Sequence, residues 1–315
     1  MTAYIARRLG QALLVIIGVS LIVFLITKLL PGGPARAILG PRATQGQIHA
    51  FLVANGYTKP IFVQYVDYIS RLVRGNLGFS YHYNQSVVLL LSQNLPKSAL
   101  LIGLAYVVAL VIAIPIGMIQ GVRRNKVSDY ALTGIAFIGY SMPLFWLGII
   151  LILLFSVTLH WFPPEAPQGA TVGAVLQQPS ALVLPVVTLA IVTIALFSRF
   201  VRSSTIENLT QDYVRTARAK GVPDRRILFG HVLRNSLIPI ITLVGLSLPV
   251  MISGAVIVEA VFNYPGMGLL FWNAATTQDY PVLMGFTIVV AFAAVLGSLI
   301  ADLLYAVADP RVRLA

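Results

Sequence analysis

The stretch YVRTARAKGVPDRRILFGHVLRNSLIP, Tyr213 to Pro239, is the longest charged interval in a chain that is otherwise apolar. It sets Arg215, Arg218, Lys220, Arg225, Arg226 and Arg234 between two apolar segments, each long enough to cross a bilayer. The 315 residues are 58% hydrophobic and only 10% charged, with a mean hydropathy of +0.87. A soluble domain carries about 25% charged residues, so a soluble globular chain is excluded and an all-α polytopic membrane protein is expected. The formal charge of +12 then reads as the gathering of basic residues on one membrane face, not as a nucleic-acid surface. Cysteine is absent, which excludes disulfides, thiolate metal sites and cysteine nucleophiles.

Apolar runs predict six transmembrane helices, at about 9–30, 98–121, 130–158, 181–199, 236–258 and 282–306. Arg7 and Arg8 precede the first run as in a signal peptide, but the run has the length of a full span and no small-residue cleavage site follows. Both termini (Arg7, Arg8, Arg311, Arg313) and the loops 122–129 and 200–235 are basic, whereas 159–180 and 259–281 lack Lys and Arg. Six helices with both termini cytoplasmic satisfy this pattern. The domains expected are the N-terminus and first helix (1–30), an extracytoplasmic cap (31–97) and a core of five transmembrane helices (98–315) that includes the cytoplasmic loop 200–235.

The cap is a large outer loop whose own cations are tolerated, because long loops escape the charge rule. From Gln47 to Val73 it reads as short amphipathic helices broken at Tyr57-Thr58-Lys59-Pro60. It serves either as a layer against the outer leaflet or as a surface for an extracellular partner. Pro115, Pro143, Pro185, Pro239 and Pro249 fall inside predicted spans and are expected to kink them.

Chemistry is sparse. Of ten acids, only Glu259 and Asp302 lie near span ends and none lies mid-span. That weakens the reading as an ion-coupled secondary carrier, which needs a coordinating group near the midplane. His49, His82, His160 and His231 fall in loops or at interfaces, against intramembrane hydrolysis, and isolated loop histidines give no metal site. No G-x-x-x-x-G-K-[ST] phosphate loop occurs. If the protein is energised, the energy therefore comes from another chain.

Within the opening stretch, Asp212 to Lys220 predicts a short helix ended by Gly221 in a left-handed cap, with Pro223 two residues on. Asp224 is expected to cap a second helix running toward Arg234. Ala217 and Gly221, four apart, form a small-residue strip, and Arg215 and Arg218 share another face. Such a helix suits docking into a groove on a partner; an ordinary positive surface loop is the alternative.

Tyr213-Val214-Arg215-Thr216-Ala217-Arg218-Ala219-Lys220-Gly221, followed by Ile227, Leu237 and Pro239, resembles the EAA loop of ABC importer permeases, and more closely the dipeptide, oligopeptide and nickel branch. Arg215-Thr216-Ala217 stands where the general pattern has Glu-Ala-Ala, as is typical of that branch. Tyr4 to Leu9, Leu30-Pro31-Gly32 and Gly75-Asn76-Leu77-Gly78-Phe79-Ser80 are similar to its N-terminal pieces, with Gly33 and Asn76 in place of Asp. Ser141 to Gly148, Glu259 to Gly268, Asp279-Tyr280-Pro281, Asp302 to Tyr305 and Asp309 to Arg313 continue the likeness.

The resemblance implies a coupling helix between the fourth and fifth spans, with Tyr213, Arg215, Thr216, Ala217, Arg218, Ala219, Lys220, Gly221 and Arg225 docking on an ATPase. It implies a second homologous permease, two cytosolic ATPase subunits, an extracytoplasmic binding protein and surrounding lipids, in a bacterial or archaeal plasma membrane. ATP and Mg would sit on the partner subunits, with no cofactor on this chain. The resemblance implies a non-catalytic subunit that imports di- or oligopeptides, with nickel, glutathione or oligosaccharides as the alternatives that close relatives carry. Glu259, Phe262, Pro265, Gly266, Gly268 and Asp279 are candidates for an outer gate or binding-protein contact, because Pro-Gly and Gly-x-Gly make tight turns.

Overall fold

The computed structural model describes residues 2–29, 35–36, 39–40, 42–54 and 56–308. The expectations resting on Leu30 to Gly33 and Asp309 to Arg313 lie outside the described residues. The chain is helical almost throughout, with one two-stranded hairpin. The elements are α1 (Thr2–Leu29), α2 (Gln45–Ala54), α3 (Ile61–Val73), β1 (Phe79–Ser80), β2 (Gln85–Ser86) and α4 (Val87–Val122). There follow α5 (Val127–Ser141), α6 (Leu144–Leu151), α7 (Val172–Leu176), α8 (Pro179–Leu209) and α9 (Asp212–Ala219). Then come α10 (Asp224–Ser253, with internal breaks), α11 (Val256–Val261), α12 (Met267–Thr276) and α13 (Tyr280–Ala308).

Among the described residues α4, α8, α10 and α13 are long and apolar enough to cross a membrane, and α5 with α6, continued by a π-helix over Ile152–Thr158, would make a fifth span. That pair is bent by 100°, where the sequence predicts one run over 130–158. Met142 is extended (φ −72, ψ 131) and Pro143 opens α6. A proline ring disfavours helical backbone in the residue before it and supplies no N–H. In α1 the described apolar helix covers Leu13–Ile26.

The centre of the fold is the α4–α8 pair. Lipid tails are as apolar as leucine, so close backbone approach rather than hydrophobicity holds such helices together. On α4 the contact face repeats a small residue every fourth position: Ala105, Ala109, Ala113, Gly117 and Gly121, all buried. A Cβ on Gly117 would lie 2.6 Å from the Ser198 carbonyl oxygen and from Val201 Cβ. Larger side chains fill in on either side. Met118, Phe197, Val201 and Ile240 form one cluster, while Leu101, Leu182, Leu184, Phe262 and Tyr264 form another toward the opposite end.

At one end of the bundle Asp129, in the first turn of α5, receives both Nε and Nη2 of Arg202 on α8, each at 2.7 Å. Asn125 N–H donates to the same carboxylate at 3.0 Å. The ion pair joins two loops that the sequence reads only as basic.

Candidate functional site

At the Asp129 end the chain turns from α8 into α9. Gly221 follows α9 with φ +75. Its N–H donates to Arg218 O at 2.9 Å, and Val222 N–H donates to Ala217 O at 3.1 Å. This pair of bonds around a left-handed glycine is the Schellman arrangement, as the spacing predicts. Val222 and Ala217 then pack with the buried Val214, Ile227 and Val232. Tyr213 Oη donates to Asn208 Oδ1 at 2.9 Å, tying α9 to the last turn of α8.

The structure divides the predicted docking residues into two sets. Tyr213 and Ala217 are half-buried and face the bundle, so the Ala217–Gly221 strip does not form one outward surface. Arg215, Thr216, Arg218, Ala219, Lys220, Gly221 and Arg225 are exposed. Arg215 lies 3.6 Å from Asp212, and Arg218 Nε lies 3.0 Å from Asp224 Oδ1. Asp224 is thus the first residue of α10 and bridges the turn to α9. It makes no capping bond, in place of the cap expected for it.

At the other end, α10 stops at Ser253, five residues before the span the sequence predicts, because Gly254 turns left-handed (φ +79). A Cβ there would lie 2.5 Å from Gly268 N and 2.7 Å from Glu259 Oε1. Glu259, on α11, is completely buried. Its Oε1 accepts from Ser98 Oγ at 2.7 Å and Ala255 N–H at 3.0 Å. Its Oε2 accepts from Gly268 N–H at 2.7 Å and Leu269 N–H at 3.2 Å. Ser98 Oγ in turn accepts from Met267 N–H at 2.7 Å. Burial pushes the carboxyl above its usual range, and these hydrogen bonds pull the other way.

The rest of this turn is equally interior. Phe262 and Tyr264 have no exposed surface. Tyr264 Oη donates to Lys97 O at 2.7 Å, and Phe262 O accepts from Ala166 N–H at 2.8 Å. Gly266 is buried with Glu259 and Ser98 directly over its Cα, and Pro265 is half-buried. Glu259, Phe262, Gly266 and Gly268 therefore come together as the core of this end. Asp279 belongs to a second site, where it accepts from Ser80 Oγ of the β1–β2 hairpin and from Val282 N–H. Ser98, Gly254 and Tyr264 complete the first site and were not singled out by sequence. Their only signal was a serine at the head of an apolar run and a glycine inside one.

The family model described as binding-protein-dependent transport system inner membrane component matches residues 113–314, and its N-terminal companion matches residues 1–102. The chain is 39% identical to the oligopeptide transport system permease protein AppB of Bacillus subtilis, over 99% of both chains. It is 36% identical to the di/tripeptide permease protein DppB of Pseudomonas aeruginosa and 33% identical to the dipeptide permease protein DppB of Escherichia coli, again over 99% of each. A chain of the methionine ABC transporter MetNI, solved in inward-facing conformations, shares the fold with a TM-score of 0.53 at 16% identity. That match covers 70% of this chain and 96% of the other. The chain belongs to the family of inner membrane components of binding-protein-dependent transport systems, as a permease subunit of an ABC transporter.

Proposed function

We propose that this permease forms half of the pore of an ATP-driven importer of di- and oligopeptides. The names of the full-length relatives support that substrate class, and no feature favours nickel, glutathione or oligosaccharide. In this reading six helices cross the membrane with both termini cytoplasmic, and residues 31–97 form the cap over the core 98–315. A second, homologous permease supplies the other half of the pore, and an extracytoplasmic binding protein delivers the peptide.

The observation that carries the coupling mechanism is α9. It presents Arg215, Lys220 and Gly221 outward while Val214 anchors it among residues of α10. Two cytosolic ATPase subunits bind ATP and Mg and draw together; α9, seated in one of them, is displaced with them. Because Tyr213 and Val214 fasten α9 to α8 and α10, that displacement reaches the bundle. The buried turn around Glu259 acts as a rigid piece of the outer gate, with Asp279 bracing its neighbour.

Reconstitution tests the proposal. Liposomes holding this permease, its partner permease, the ATPases and the binding protein should accumulate labelled tripeptide on addition of ATP. Accumulation by this chain alone would sink the importer reading. Failure of peptides to compete with nickel or glutathione uptake in the full system would sink the substrate class.

A further inference from the structure

At the end of the bundle opposite α9, the cap and the start of α13 enclose a cavity of about 650 Å³. Arg71 and Arg74 line it together with Tyr57, Tyr68, Tyr81 and Met284. Neither arginine has a carboxylate partner among the described residues, and Asp67, the sole acid in 31–97, pairs instead with Lys59 at 3.0 Å. The site thus offers two guanidinium groups with no carboxylate to neutralise them. It calls for a group made only of acceptors.

The contacts of α3 fix its depth. Arg8 and Lys28 are separated along α1 by roughly 30 Å at 1.5 Å per residue, about the thickness of the hydrocarbon core. Near Lys28, α3 crosses α1: the Tyr65 hydroxyl bonds Ser20 Oγ at 2.9 Å, and Tyr68 stacks on Phe24 with centroids 5.8 Å apart. Lys28 bonds Gln64 and lies 4.7 Å from the Tyr57 ring centre. These contacts run from Ser20 to Lys28, about 12 Å along α1, and set α3 against the Lys28 end of that helix, close to the depth at which amphipathic helices lie in the interface. Its other face leaves Phe62, Val66 and Val73 exposed, Phe62 by 73% and Val73 by 83%.

We propose that the cavity holds the phosphate of an anionic phospholipid from the leaflet opposite α9, with the acyl chains on the exposed apolar face of α3. A phosphodiester supplies acceptors and no donors, and it can take bidentate bonds from both arginines. The lipid also gives two arginines a reason to stand on the side of the membrane that basic residues ordinarily avoid.

Native mass spectrometry of the full chain in detergent, titrated with phosphatidylglycerol, tests this. Phosphatidylglycerol should bind and survive competition from phosphatidylcholine. The exposed double substitution R71Q/R74Q should weaken binding by about tenfold or more, the loss of charge-assisted bonds to phosphate. Equal binding of phosphatidylcholine, or undiminished binding by R71Q/R74Q, would overturn the proposal. Displacement of the lipid by millimolar inorganic phosphate would likewise overturn it, by assigning the site to a free anion.

Discussion

The Ser98 hydroxyl donates to Glu259 Oε1 at 2.7 Å across 161 residues of sequence, and Ser98 Oγ itself accepts from Met267 N–H at 2.7 Å. One small side chain on α4 therefore satisfies both the carboxylate and the backbone of the turn that follows it. Ser98→Ala leaves a buried N–H and a carboxylate lone pair without partners, at a cost of about 1–3 kcal/mol. Glu259→Gln should cost more, because its amide group would face two backbone donors, those of Gly268 and Leu269. Thermal unfolding of the detergent-solubilised permease should rank wild type above Ser98→Ala and that above Glu259→Gln. A Glu259→Gln variant as stable as wild type would refute the four-donor arrangement.

Two helical glycines make a controlled pair. Gly117→Ala drives a methyl group into α8, with an expected loss of about 1–3 kcal/mol from overpacking. Gly134 in α5 has nothing within 4 Å of its missing Cβ, so Gly134→Ala should be neutral or slightly stabilising through helix propensity. Folded yield measured by size-exclusion fluorescence should separate the two.

At Gly221 the space is open and the constraint is the backbone. Gly221→Ala costs roughly 1 kcal/mol in the left-handed region, whereas Asn tolerates it better. With the assembled transporter, peptide-stimulated ATP hydrolysis should fall further in Gly221→Ala than in Gly221→Asn, with membrane insertion intact in both. Full stimulation in a Gly221→Trp variant would remove this turn from the docking surface.

Asp129 is 1% exposed and Arg202 30%. Removing the arginine strands a buried carboxylate, whereas removing the carboxylate leaves an arginine that still reaches water. Arg202→Gln should therefore lower the unfolding temperature more than Asp129→Asn. The double variant should recover part of the loss, since breaking a buried pair costs more than replacing both partners.

The apolar runs and the basic stretch around Gly221 were legible in sequence because both are local. Hydropathy needs only a window of residues, and a left-handed cap needs only a glycine between a helix and a proline. What was illegible is what depends on distant neighbours. Pro115 sits inside an unbroken α4, while Pro143 marks a 100° bend; the same ring has opposite outcomes, and the neighbouring letters do not tell them apart. The complete burial of Glu259, a candidate for an outer gate or binding-protein contact, could not be read because nothing nearby in sequence announces Ser98. The repeat of Ala105, Ala109, Ala113, Gly117 and Gly121 was visible in the letters, but its meaning required knowing that α8 lies against it.

That repeat also says where the molecule can bend. Backbones seated this closely have no room to slide or roll, because any rotation of α4 brings a larger side chain into the groove that the glycines leave. The α4–α8 pair is therefore a strut. If α9 is displaced as proposed, the strut carries the movement toward the place where the helices are already interrupted by an extended residue, Met142–Pro143.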